Sequence, residues 1–148
     1  DKALSDSGSI DSLVIFKSKR QLLVYSKGQI AKVCTIALGK NPIGDKQYEG
    51  DNKTPEGKYI INDKNPNSSY YKNLGVSYPD SFHLAQAAQM GKSAGGDIKI
   101  HGIKNGFGFI GKLHRLTDWT SGCMALTDKE IDELYSKVAI GTPISIYP

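Results

Sequence analysis

The alternation of residues between Ile30 and Leu38 constrains this chain more than any other feature. Ile30, Lys32, Cys34, Ile36 and Leu38 fall on one side of an extended chain, and Ala31, Val33, Thr35 and Ala37 on the other, because side chains along a strand alternate with a period of two. Two short apolar runs come first, Leu13-Val14-Ile15-Phe16 and Gln21-Leu22-Leu23-Val24-Tyr25. Ser18-Lys19-Arg20 separates them, and Ser26-Lys27-Gly28-Gln29 joins the second to the alternating segment. Three consecutive strands linked by tight turns predict an antiparallel sheet.

The rest of the chain continues in the same style. Gly39 to Gly57 is rich in Gly, Asn, Asp and Pro and reads as a long structured loop. Lys58 to Asn62 reads as a strand, residues 63–80 as loop, and Ser81 to Met90 as a short helix ended by Gly91. Ile98-Lys99-Ile100-His101 is a strand with its two isoleucines on one face and Lys99 and His101 on the other. Thr127 and Glu130 have the spacing of a capping box, and Ile131, Leu134, Tyr135 and Val138 make one apolar stripe, so a helix is predicted over 127–138. Pro143 to Tyr147 is a last strand. About seven strands and one or two helices define a mainly β, α+β domain with a helix packed on it. One domain is expected over 13–148, behind a flexible leader at 1–12.

Composition excludes several classes. A chain of 148 residues builds one core, and no apolar run approaches the roughly 20 residues of a membrane-spanning helix. The net charge of +4 is spread along the chain, with no Lys/Arg stripe interleaved with aromatics, so nucleic acid is not an expected partner. The chain begins Asp1-Lys2-Ala3 and reads as a processed or trimmed protein. Two cysteines make no disulfide framework, and their settings point to separate jobs. Cys34, mid-strand beside Ile36 and Leu38, reads as core.

Cys123 is different. It lies in Thr120-Ser121-Gly122-Cys123-Met124-Ala125-Leu126, after small turn-forming residues and four residues before a capped helix. A bend near a helix N-terminus favours thiolate over thiol, and the thiolate is the nucleophile. Consecutive amides at such a bend can face a developing oxyanion. A small buried hydrophobe is the other reading of this cysteine. His101 ends its strand on the face away from Ile98 and Ile100 and precedes Gly102, the setting of an orientable general base; a hydrogen-bonded structural histidine is the alternative. His83, in the expected helix, and His114, in a loop read as solvated, compete for the role. No His or Cys pair has zinc-site spacing, and no metal or cofactor is expected. Gly106-Phe107-Gly108-Phe109-Ile110-Gly111 reads as a mobile flap or tight hairpin, lining a groove with Trp119 or packing its phenylalanines in the core.

Taken together, His101-Gly102 and Thr120-Ser121-Gly122-Cys123 resemble the signature of the L,D-transpeptidases, the YkuD-type catalytic domain. The likeness runs from about Leu13 to Tyr147. It includes Leu22-Leu23-Val24-Tyr25, Gly28, Ala37-Leu38-Gly39, Gly50-Asp51 with Thr54-Pro55-Glu56-Gly57, Ser77-Tyr78-Pro79 and Gly95-Gly96, in order. The resemblance implies a β-sandwich-like fold and an enzyme of the bacterial cell envelope acting as a monomer on peptidoglycan stem peptides. Cys123 would attack the carbonyl of the third-position diamino acid, release D-alanine and form a thioester. His101 would take the thiol proton and then activate the amine of a second stem, while the Gly122 and Cys123 amides hold the oxyanion. Tyr78, Gly102, Phe107, Trp119, Thr120 and Ser121 would surround the substrate, and carbapenem-type inhibitors would acylate the same cysteine.

One departure matters. Most members carry Arg two residues after the nucleophile, where this chain has Ala125. Losing a cation that orients a carboxylate leaves hydrolysis of murein linkages as an alternative to transfer. A murein-binding domain without turnover and a papain-like peptidase are the remaining alternatives; the order of His and Cys and the helix after the Cys speak against the last. Asp97 or a backbone carbonyl would orient His101.

Overall fold

A computed structural model describes residue 4 and residues 9–148. The expected leader falls largely outside the described residues; Leu4 is buried and its N–H donates to Glu133 at 2.8 Å.

Eight strands form one strongly curled sheet. They are β1 Ser12–Phe16, β2 Gln21–Ser26, β3 Gln29–Thr35, β4 Gly57–Ser68, β5 Tyr71–Val76, β6 Lys99–His101, β7 Met124–Ala125 and β8 Pro143–Tyr147, in the order β3-β2-β1-β8-β4-β5-β6-β7. The predicted antiparallel β1-β2-β3 meander is present. Lys32, Cys34, Ile36 and Leu38 turn inward as expected, whereas Ile30 is 52% exposed. A bulge between Val24 and Tyr25 shifts the β2–β3 register there, and a one-residue shift sends a side chain to the opposite face.

The two ends of the strand order meet. Ala37, just beyond β3, exchanges backbone hydrogen bonds with Ala125 of β7 at 3.1 and 2.9 Å. Gly39 bridges Thr120 in parallel, with Thr120 N–H donating to Leu38 at 3.1 Å. The curl encloses a core of Leu13, Ile15, Leu22, Ile36, Leu74, Ile100, Met124 and others.

Helix α1 spans Ser81–Gln89 and helix α2 Asp128–Lys137. The capping box is formed: Glu130 N–H donates to Thr127 Oγ1 at 3.2 Å, and Thr127 N–H to Glu130 Oε1 at 3.0 Å. Ile131, Leu134 and Val138 are sealed against the sheet, each contributing about 1.5–3 kcal/mol of burial.

Two local expectations are corrected. Residues 63–80, read as loop, hold the outer half of β4 and all of β5; bulges between Ile61 and Asp63 and between Asn65 and Ser68 broke the alternation that would have marked them. Gly106–Gly111 forms neither flap nor hairpin but leads into a 3-10 segment, Gly108–Leu116, kinked at Gly111.

The long loop between β3 and β4 is tied internally and to α1. Asp51 pairs with Lys46 at 2.9 Å in a buried site and accepts N–H groups of Gln47, Tyr48 and Lys53 at 2.8, 3.2 and 3.1 Å. His83 of α1 lies between Asp80 at 2.5 Å and Asp45 of the loop at 2.7 Å. Burial disfavours charge on His83, but the two carboxylates outweigh it and raise its pKa above 6.5. A raised folded-state pKa contributes stability that is complete below about pH 6.5 and lost as pH rises through the folded value. The melting temperature of the wild type is therefore expected to fall across that window, by about 2–4 °C per kcal/mol for a chain of this size. A His83→Gln variant lacks that slope. Parallel melting curves from pH 5.5 to 8.5 would remove the assignment.

Candidate active site

Strand pairing builds the site. β6 and β7 run parallel, with Ile100 opposite Met124 and His101 opposite Ala125. One residue back, Cys123 lies beside Lys99, whose N–H donates to Cys123 Sγ at 3.4 Å. His101 is two residues further along β6 on the same face as Lys99. Strands about 4.8 Å apart with a rise of about 3.3 Å per residue put the α-carbons of Cys123 and His101 about 8 Å apart. The sheet thus brings together the two residues that the sequence singled out.

The turn before Cys123 is held by one hydroxyl. Thr120 Oγ1 accepts the Gly122 N–H at 3.1 Å and donates to the Cys123 carbonyl at 2.7 Å. Gly122 has φ +138, and a Cβ there would lie 2.8 Å from the Lys53 carbonyl, so the loop 45–57 packs directly against the turn before Cys123. Asp118 anchors the preceding residues: Arg20 donates to its carboxylate at 2.8–3.2 Å, and Leu38 N–H donates at 3.1 Å.

His101 is buried, with its ring 4.8 Å from Tyr70 and 5.6 Å from Trp119. Its Nδ1 lies 2.6 Å from the Gly102 carbonyl. A carbonyl only accepts, so Nδ1 carries the proton and Nε2 keeps its lone pair. This backbone carbonyl fills the orienting role; Asp97 instead offers its own carbonyl to Cys123 Sγ at 3.3 Å. Gly102 is required for a steric reason: a Cβ would lie 2.6 Å from Asp128 Oδ1.

The electrostatics differ from the expectation of an ionised sulfur. Burial lowers the His101 pKa below 6.5, partly offset by the Gly102 carbonyl. Burial raises the Cys123 thiol above its ordinary 9.0, with the Lys99 N–H acting the other way. Burial thus acts on both groups in favour of their neutral forms, thiol and imidazole. The Cys34 thiol is pushed further, to about 12, by burial in the core. The two cysteines are not bonded to each other.

An open cleft of about 310 Å³ exposes the pair, lined by Cys123, His101, Trp119, Thr120 and Ser121 together with Lys40, Ser68, Tyr70, Asn73, Asp97 and Lys99. A second cavity of about 330 Å³, lined in part by Glu49, Gly95, Asp97 and Ser121, also reaches Cys123. Two expected substrate contacts lie elsewhere. Tyr78 is buried in the core, its hydroxyl donating to the Ala94 carbonyl at 2.7 Å. Phe107 lines a separate apolar groove that touches the cleft only through Tyr70 and Trp119. His114, read as solvated, is buried and accepts the Trp119 indole N–H at 3.2 Å. Among the described residues no group of three or more His, Cys, Asp or Glu is placed to hold a metal ion, and no helix is long and apolar enough to cross a membrane.

Sequence reasoning missed Ser68, Tyr70 and Asn73. They sit on the β4–β5 hairpin, whose end is pinned by Gly102 N–H donating to Tyr70 at 3.0 Å and by Tyr71 Oη donating to Asp132 at 2.8 Å. The apolar alternation Leu74, Val76 was the available signal for Asn73.

Comparison with known proteins agrees with this geometry. Residues 11–146 match the family model of the L,D-transpeptidase catalytic domain. YafK of Escherichia coli (strain K12) is 32% identical over 158 residues, covering 95% of this chain and 55% of YafK. The helical cell shape determining protein Pgp2 of Campylobacter jejuni, as its K307A mutant, superposes with a TM-score of 0.70 at 30% identity, covering 95% of this chain and 47% of that one. LdtMt1 in complex with imipenem shares the fold, with a TM-score of 0.59 at 16% identity over 94% of this chain and 59% of that one. The chain thus spans about half the length of the relatives it matches.

Proposed function

Because this chain belongs to the L,D-transpeptidase catalytic domain family, we propose that it is a cysteine acyltransferase of the bacterial cell envelope acting on peptidoglycan stem peptides. The observation that supports this reading is the parallel β6–β7 pairing, with Cys123 beside Lys99 and His101 two residues further along, and both lining one open cleft. Rotation of the thiol away from the Asp97 carbonyl brings it toward Nε2. The imidazole takes the proton as Sγ adds to the carbonyl of the third-position diamino acid. D-Alanine leaves with that proton on its amine, and a thioester to Cys123 remains. The amine of a second stem, deprotonated by His101, then displaces the sulfur and restores the thiol. Two cavities meeting at one sulfur suit two stems.

The oxyanion falls to the Cys123 N–H, which has no acceptor among the described residues. The Gly122 N–H joins it only by releasing Thr120 Oγ1. Thr120 and Ser121 shape this wall, and Trp119 with Tyr70 holds the imidazole. Gly102 serves through its carbonyl rather than by touching substrate.

Hydrolysis is the second reading, favoured by one observation. Ala125 is fully buried between Ala37 and His101, so β7 presents no cation to the cleft. The likeness to Pgp2 supports a role in cell shape for either chemistry. Incubation with a disaccharide-tetrapeptide separates the outcomes: crosslinked dimer for transfer, tripeptide monomer for hydrolysis. Imipenem, a compact acylating probe, is expected to add one covalent mass at Cys123. No new product from the peptide and no adduct at Cys123 would refute the enzyme.

A further inference from the structure

Asn73 is a polar side chain without an assigned use. It is 7% exposed, and its Oδ1 is buried with no hydrogen-bond partner. A buried amide oxygen left unpaired is destabilising, and native chains rarely leave one without a purpose. Asn73 pairs directly with His101 across β5 and β6, so the two side chains share a face, with Cβ atoms about 4.5–5.5 Å apart. Both line the cleft that holds Cys123.

We propose that Asn73 is a substrate-reading residue whose carboxamide hydrogen-bonds to the peptide group next to the scissile carbonyl. A carboxamide carries an acceptor and a two-proton donor, and a half-turn of its last torsion exchanges them. It therefore complements a peptide link, which offers one N–H and one C=O. Its place beside His101 fixes which link is read. The group engaged by Asn73 lies against the imidazole, where the leaving or entering amine must stand. Lys99, on the same face and 3.8 Å from the exposed Asp63 carboxylate, adds positive charge suited to a carboxylate on the same substrate. The assignment rests on the stem-peptide reading above and names the part of that substrate the cleft recognises.

The test uses Asn73→Leu, which keeps the volume and removes both polar ends. Turnover of a disaccharide-tetrapeptide is expected to fall about 10- to 100-fold in kcat/KM. The melting temperature is expected to match or exceed that of the wild type, since an unpaired buried amide is replaced by an apolar group. Alkylation of Cys123 by iodomethane, which forms the S-methyl thioether with loss of iodide and has no amide to read, separates recognition from reactivity and is expected to keep its rate. Wild-type kcat/KM in the variant overturns the proposal. So does a marked fall in melting temperature together with slowed alkylation, which would make Asn73 a structural amide satisfied by buried water. Failure of the wild type itself to process the muropeptide refutes the stem-peptide reading instead, so the two failures are distinct.

Discussion

Cys123→Ala is expected to lower turnover of a disaccharide-tetrapeptide by at least about 10⁴-fold, as removal of a nucleophile does in other acyl-transfer enzymes. Its melting temperature is expected to stay within about 2 °C of the wild type, because the substitution deletes one sulfur at the wall of an open cleft and leaves the core untouched. The fold around the turn depends on Thr120 Oγ1 and the Gly122 backbone rather than on the thiol. Mass spectrometry after imipenem should show one adduct on the wild type and none on the variant. Cys34, sealed in the core with its thiol pushed to about 12, does not substitute for it. An adduct that persists in Cys123→Ala, or turnover within tenfold of the wild type, would sink the assignment.

His101→Gln is expected to lower kcat/KM by about 10²–10⁴-fold, the range of a lost general base. Gln can still donate to the Gly102 carbonyl, so the loss reports the missing Nε2 lone pair more than a disturbed loop. The pH profile adds a sign. Imidazole serves as a base only when neutral, and burial holds its pKa below 6.5. The wild-type rate is therefore retained below pH 6.5 and falls off further into acid. On the alkaline side burial pushes ionisation of the thiol above 9.0, so under the proposed mechanism proton transfer to His101 is expected to carry the reaction at neutral pH. The Gln variant should lose the acid limb and keep a slow rate that climbs with the thiol's own ionisation. An unchanged acid limb in the variant would assign that limb to another group.

Much of this was legible before any coordinates. The meander, the capped helix and the attention to Cys123 and His101, which line one cleft, follow from alternation, capping chemistry and the order of motifs, all local signals or ones shared with a family. The failures have physical causes. Bulges scrambled the period of β4 and β5, which hid Asn73 and Tyr70 at the cleft. Tyr78 sits in a turn-like Ser-Tyr-Pro context, yet its ring completes the core and its hydroxyl is spent on Ala94. A nearby helix start suggested a thiolate at Cys123, whereas its burial in the assembled fold pushes the thiol up. Burial and bond partners are properties of the assembled fold, and local pattern does not encode them.

The join between the chain just past β3 and the strand that follows Cys123 has a kinetic meaning. The turn at Cys123 owes its position to residues near 37–39, 54, 99–101 and 120–125, stretches far apart along the polypeptide. Contacts of such wide sequence separation form late and slowly, because long loops must close before any of them is rewarded. The surroundings of Cys123 are therefore complete only when the last seam of the sheet is sewn.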